Sequence, residues 1–281
     1  MKLASFRIDG RSAYGIVSGD GIIDAARLLA PEFPTLRAVL AAGALDRLHA
    51  LAGEAPDHKL ADVEFDIPIP EPSKIICIGR NYRGHLAEAG MKLPEKPSVF
   101  IRTLESFVAH NAPMIRPKAS SDYDFEGELC LIIGRTARHV TREDALSYIA
   151  GYTCMNEACL RDFQFNHSLT VGKNFYHSGS IGPWMTTTDA IPDPTQLMLH
   201  THLNGVEVQH TQTDDMIFDI PEIIRYLSVL LPLNPGDIIA TGTPEGVGFA
   251  RTPPLWLKAG DDVEVDISGI GTLRNHVIDE V

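Results

Sequence analysis

The chain has 281 residues, 44% hydrophobic and 22% charged, with a formal net charge of −13 at pH 7. That composition is globular, and the length is enough for a full core in one or two domains. So acidic a chain lacks the basic patches that nucleic acid or an anionic membrane requires, although a bound cation can reverse the field in a cleft and admit an anionic substrate. No run approaches the roughly 18 apolar residues of a membrane span, and Met1 to Arg7 has no apolar signal core. The four cysteines (Cys77, Cys130, Cys154, Cys159) show no CxxC spacing, so a cytoplasmic protein with buried thiols is expected.

In chain order, short strands are expected over 3–8, 13–17 and 21–24, joined by the turns Asp9-Gly10 and Ser18-Gly19-Asp20-Gly21. Short helices follow over 25–29, 35–42 and 45–51, with Thr35 as a cap and Gly43 as a stop. The polar stretch 53–74, with Pro56, Pro68, Pro70 and Pro72, reads as a linker and places a domain boundary near residue 70. Beyond it, 75–78 and 129–133 are continuous apolar runs, as in strands covered on both faces. Helices are expected over 142–149, capped by Thr141, and over 221–230, with proline in the first turn. Asn204-Gly205 marks a hairpin, a turn at 234–237 precedes a strand over 238–241, and 262–267 with 271–277 form a closing pair. The sum is a β-rich α+β chain: a small α+β domain over 1–70 and a larger domain over 71–281.

The sharpest local feature is Asp122-Tyr123-Asp124-Phe125-Glu126-Gly127-Glu128. In an extended chain Glu126 and Glu128 share a face at the mouth of the strand 129–133, and Gly127 leaves room for close backbone approach. Two carboxylates so close repel unless a cation lies between them, and hard oxygen donors suit Mg²⁺ or Mn²⁺. By itself the segment is equally compatible with a solvated acidic edge. A second acidic group, Glu157, stands at the end of the strand leading to Met155-Asn156, and Lys173 follows Gly172 in an apolar neighbourhood. Either residue, taken alone, is more often a surface charge.

Together and in order, these segments resemble the fumarylacetoacetate hydrolase family over residues 73–281. The matching stretches are Ile78-Gly79-Arg80-Asn81-Tyr82 with His85 and Glu88, and Phe125-Glu126-Gly127-Glu128-Leu129. They continue with Asn156-Glu157, Arg161-Asp162-Phe163-Gln164, Gly172-Lys173 and Gly182-Pro183-Trp184, and end with Asn204-Gly205, Pro235-Gly236-Asp237, Thr241-Gly242-Thr243-Pro244 and Gly246-Val247-Gly248. The resemblance implies a rolled, mixed β-sandwich catalytic domain with the small N-terminal domain at its side, usually as a homodimer. It implies one Mg²⁺ or Mn²⁺ per subunit on Glu126, Glu128 and Glu157, an active-site Lys173, and a lid dyad of His85 and Glu88, whose spacing of three shares a helical face. It also implies substrate contacts at Arg80, Tyr82 and Thr243.

The chemistry so implied is hydrolysis of a carbon–carbon bond in a 2,4-dioxo acid, with His85 and Glu88 activating water and the metal stabilising a pyruvate enolate. The alternatives are decarboxylation or keto–enol isomerisation of an oxaloacetate-type 2-oxo acid at the same site, or a catalytically silent ligand-binding relative. The sequence departs from the family pattern at three places. Glu157 stands where many members carry aspartate, Tyr176 also replaces a frequent aspartate, and Arg102-Thr103 replaces a frequent Lys-Pro. A guanidinium at Arg102 could grip a second substrate carboxylate. His167, His177, His200, His202, His210 and His276 are read as structural or surface residues; only His200 and His202 could share a strand face.

Overall fold

In the computed structural model, which describes residues 1–281, Lys2–Ile8 and Arg11–Ser18 form a hairpin with Ile8 opposite Arg11. Asp9 and Gly10, at φ 50° and 77°, make the tight turn, whose left-handed residues match the twist of the strands. Three short helices follow: Ala26–Leu29, Leu36–Ala41 and Leu45–His49. The Thr35 hydroxyl accepts from Ala38 N at 3.2 Å and caps the second. The stretch 53–74 is not a free linker. His58–Lys59 pairs with Gly21–Ile23, and Glu64–Phe65 pairs with Lys2–Ile8. Phe65, Ile67 and Ile69 alternate into the core beneath the prolines that suggested a linker. Lys2–Ile8 also pairs with Gly179–Thr187, so one twelve-stranded sheet runs through both parts of the chain.

The centre of that sheet is Gly127–Ile133, buried at every residue. It lies between Ile149–Asn156 and Ile238–Ala240, both antiparallel to it, and Ile75–Gly79 follows, parallel to Ile238–Ala240. Coverage on both faces is why these strands are apolar runs without alternation. The helix expected over 142–149 is reduced to a 3-10 turn, Ala145–Tyr148. Thr141 accepts from Asp144 N and closes only the turn ahead of it; the 3-10 turn itself has no side-chain cap, and Ile149 pairs with Ile133 and draws the chain into the sheet. The helix Ile220–Leu230 forms as expected, capped by Asp219 through Glu222 N, and buries Ile220, Ile223, Ile224 and Leu227.

A second, five-stranded sheet contains the hairpin Met198–Leu203 and Val206–Gln212, then Asp262–Ile267, Gly271–Asp279 and Met114–Arg116. Its inward residues Leu199, Val265 and Leu273 pack against Leu129, Leu131 and Cys154 of the large sheet. The result is the strand-rich mixed sandwich with short helices that the resemblance implies. The second sheet approaches Gly127 closely: a Cβ there would lie 2.1 Å from Thr201 Oγ1, so only glycine fits. All four cysteines are buried and unpaired, and no helix is long and apolar enough to cross a membrane.

Candidate metal centre

The paired strands Gly127–Ile133 and Ile149–Asn156 bring the acidic residues together at one end. Gly127 lies opposite Asn156, the Asn156 side chain accepts from Glu126 N at 3.0 Å, and Glu157 N donates to Glu126 O at 2.7 Å. Glu126, Glu128 and Glu157 are thereby buried, each with a carboxylate oxygen within 4.8 Å of the others. Lys173 ends the short helix Leu169–Lys173, which Ser168 caps. Its buried Nζ donates to Glu126 at 2.5 Å and to Glu157 at 2.7 Å.

Three residues without a role in the sequence reading complete this shell. Arg161 Nη2 lies 2.6 Å from Glu126 Oε1, and Arg161 Nε donates to Asp124 at 2.7 Å. Asp124 also accepts from Gly248 N and Phe249 N, so it ties the bowl to the loop above. Asp124 stands two residues before Glu126 and so shares its face in an extended strand, which is the signal that could have included it. Gln209 gave no signal at all. From the second sheet its Oε1 accepts from Gly127 N at 2.9 Å, and its Nε2 donates to Thr243 Oγ1 at 2.9 Å and to Pro244 O at 3.1 Å.

Above the carboxylates is a cavity of about 200 Å³, lined by Arg80, His85, Arg161, Gln164, Lys173 and Thr243 among others. His85 lies on the short helix Arg83–Glu88 with Nδ1 2.8 Å from Glu88 Oε1. Glu88 Oε2 in turn accepts from Gly246 N at 2.8 Å, which fastens this helix to the 241–248 loop. The Thr243 hydroxyl donates to Gly127 O, leaving its contact with the cavity to one edge.

The structure does not bring every expected contact to the cavity. Tyr82 is fully buried beneath it and is held by a backbone bridge to Met216. The neighbouring Asn81 acts as a clamp, its amide donating to Thr241 O and Phe218 O. Arg102, expected to grip a substrate carboxylate, is buried behind Glu157. Its Nη1 donates to Ala158 O at 3.1 Å, its Nε donates to Ser106 Oγ at 3.2 Å, and the guanidinium stacks 4.0 Å from the Phe107 ring centroid. With these protein partners it approaches Glu157 Oε1 only to 3.6 Å and has no face left for a substrate. Tyr176 is exposed on the surface.

The electrostatics fit a divalent cation. Burial opposes the ionisation of Glu126, but Lys173 and Arg161 hold its pKa at about 2. Glu128 has no cationic partner, only the Gly242 N–H at 2.8 Å. Burial, then Glu157 and Glu126, push its pKa well above the carboxylate range. Glu157 Oε1 is buried without a hydrogen-bond partner. Three buried carboxylates, one with an unsatisfied oxygen and one that ionises only with compensation, form an all-oxygen donor set of the kind Mg²⁺ and Mn²⁺ prefer.

Comparison with known proteins agrees with this geometry. The family description "Fumarylacetoacetate (FAA) hydrolase C-terminal" matches residues 74–278. Over 225 residues the chain is 40% identical to oxaloacetate tautomerase YisK of Bacillus subtilis, covering 78% of this chain and 75% of that protein. It is 35% identical over 282 residues to 2,4-didehydro-3-deoxy-L-rhamnonate hydrolase of Sphingomonas, covering 99% and 96%. The crystal structure of maleylpyruvate hydrolase from Sphingobium sp. SYK-6, in complex with manganese(II) and pyruvate, superposes with a TM-score of 0.83 at 30% identity and full coverage of both chains. With the fold, the carboxylate bowl and these likenesses in agreement, the chain belongs to the fumarylacetoacetate hydrolase family.

Proposed function

We propose that this protein is a Mg²⁺- or Mn²⁺-dependent enzyme that hydrolyses a carbon–carbon bond in a small 2,4-dioxo acid. The observation that carries the reading is His85, held by Glu88, lining one small cavity with the buried Glu126, Glu128 and Glu157. Glu126, Glu128 and Glu157 would hold the cation. When bound, it supplies Lewis acidity to the oxygens of the 2-oxo acid. A relative matched over nearly its whole length is named a hydrolase, which supports the same reading.

The chain's own groups divide the work. Glu88, fixed by Gly246 N, accepts from His85 Nδ1 and so selects the tautomer that leaves Nε2 free as a base. His85 takes a proton from water as the water oxygen adds to the distal carbonyl. The bond between the distal carbonyl and the methylene carbon then breaks, leaving its electron pair on the carbon conjugated with the 2-oxo group. A proton returned to that carbon completes release of the 2-oxo acid and a carboxylic acid. Arg80, Arg161 and Gln164 give the cavity cationic and amide donors for an anionic substrate. Lys173 acts from below, keeping Glu126 and Glu157 ionised and in place. Residues 71–281 carry this chemistry and 1–70 support it; assembly is as a homodimer.

A second reading, keto–enol tautomerisation of oxaloacetate, is favoured by the small, highly charged cavity and by relatives named oxaloacetate tautomerases. It needs the same base and no water. The test is a panel of acylpyruvates and oxaloacetate assayed by NMR with Mg²⁺ or Mn²⁺. Acylpyruvates are expected to yield a 2-oxo acid and a carboxylate, and His85→Ala should slow this by about 10²-fold or more while leaving Mn²⁺ binding intact. Interconversion of the oxaloacetate keto and enol forms with intact acylpyruvates replaces the hydrolase reading with the second.

A further inference from the structure

On the outer face of the second sheet, away from the carboxylate bowl, three side chains form a cluster that the reaction does not use. We propose that His200, Glu207 and His210 are a second metal site, taking a borderline cation such as Zn²⁺ through two imidazoles and one carboxylate. The three offer ligand atoms that all lie within 4.8 Å of one another. His200 Nδ1 is 2.8 Å from Glu207 Oε2, and His210 Nδ1 is 3.3 Å from Glu207 Oε1. Tetrahedral zinc with bonds of about 2.0–2.1 Å holds neighbouring ligand atoms about 3.3 Å apart. The cation would take the place of these two hydrogen bonds.

The placement depends on a specific irregularity of the strand pair. His200 and His210 are direct cross-strand partners on Met198–Leu203 and Val206–Gln212. In a regular strand, residues three apart point to opposite faces, which would send Glu207 inward if His210 points outward. A β-bulge interrupts the register between Thr201 and His202, so that Val208 and Gln209 are both buried while Glu207 and His210 are both exposed. The bulge thus serves both faces. Inward it supplies Gln209 to Gly127 N and Thr243 Oγ1, and outward it brings Glu207 beside two histidines.

The surroundings suit a cation. His202 stacks beside His200 with ring centroids 6.2 Å apart. Asp266, on the other side of His200, is its cross-strand partner and adds negative charge. Side-chain exposures of 27% for His200, 46% for Glu207 and 54% for His210 give solvent ions direct access. The donor set separates this site from the bowl: two nitrogens and one oxygen favour Zn²⁺ over Mg²⁺, whereas three carboxylates favour the reverse.

The test is equilibrium dialysis of the full-length protein against micromolar Zn²⁺ in millimolar Mg²⁺, with bound zinc counted per chain. His200→Ala/His210→Ala is expected to bind one zinc fewer than wild type, while its thermal unfolding in EDTA shows it still folded. Glu207→Gln should weaken the same equivalent at least tenfold. Glu126→Gln/Glu128→Gln should retain it, so failure of the bowl as a metal site leaves a different signature. Equal zinc in wild type and the double-histidine variant overturns the proposal, as does loss of that equivalent only in the double-glutamate variant.

Discussion

Replacing Lys173 with methionine keeps an apolar stem of similar size and removes the ammonium, whose Nζ lies 5.5 Å from the Phe100 ring centroid. In the native protein burial works against the Lys173 ammonium, yet Glu126 and Glu157 more than offset it and hold its pKa above the usual lysine range. Without it, three buried carboxylates face Arg161, with Arg102 reaching Glu157 only from behind. Removing one partner of a buried ion pair costs about 3–5 kcal/mol because the other charge stays buried and uncompensated. For a chain of this size that lowers the thermal midpoint by roughly 6–20 °C in EDTA. A divalent cation among the same carboxylates would offset much of the loss. Differential scanning calorimetry in EDTA and then in Mg²⁺ should therefore show a larger metal-induced rise in Lys173→Met than in wild type. A variant that melts within about 2 °C of wild type in EDTA would mean that the Lys173 ammonium is not what keeps the carboxylates ionised.

Two further substitutions test the frame around the site. Gly127→Ala places a Cβ 2.1 Å from Thr201 Oγ1, a short side chain fixed on the facing strand. Overpacking should cost about 1–3 kcal/mol or more in urea denaturation, and a neutral result would show that the two sheets can separate at this point. His110 is held at a pKa of about 4 by burial and then by Arg274, and its Nδ1 accepts from Arg274 N. A histidine with a folded pKa below its unfolded value near 6.5 stabilises the fold only while neutral. That contribution is complete above about pH 6.5 and is lost as pH falls towards 4. Between pH 7 and 4.5 wild type should lose about 2 kcal/mol more stability than His110→Gln; equal losses would remove His110 from the account.

Much of this site could be read from the chain because its parts lie on strands with strong local signals. Glu126, Gly127 and Glu128 alternate at the mouth of an apolar run, and the pairing of Gly127 with Asn156 then delivers Glu157. His85 and Glu88 are three apart on a helix and do meet. The residues whose roles went unread act over long separations. Gln209 reaches Gly127 from another sheet, and Arg161 connects Asp124 to Glu126 through a fold that no spacing encodes. Arg102 was misread because its guanidinium is held on the far side of Glu157 by the distant Ala158 as well as the nearby Ser106 and Phe107, a direction that no spacing encodes. The stretch 53–74 was misjudged because proline content hid the inward alternation of Phe65, Ile67 and Ile69. The 142–149 helix failed because Thr141 closes only the preceding turn and strand pairing at Ile149 draws the chain into the sheet.

The most direct measurement is Mn²⁺ binding by isothermal titration, since Mn²⁺ is a hard cation low in the affinity order for imidazole sites. The account predicts one Mn²⁺ per chain in wild type. In Glu126→Gln/Glu128→Gln that binding should be lost while the urea midpoint shows the protein still folded. A wild type that binds no Mn²⁺, or a folded double variant that binds it as tightly, would contradict the assignment of Glu126, Glu128 and Glu157 as the metal centre.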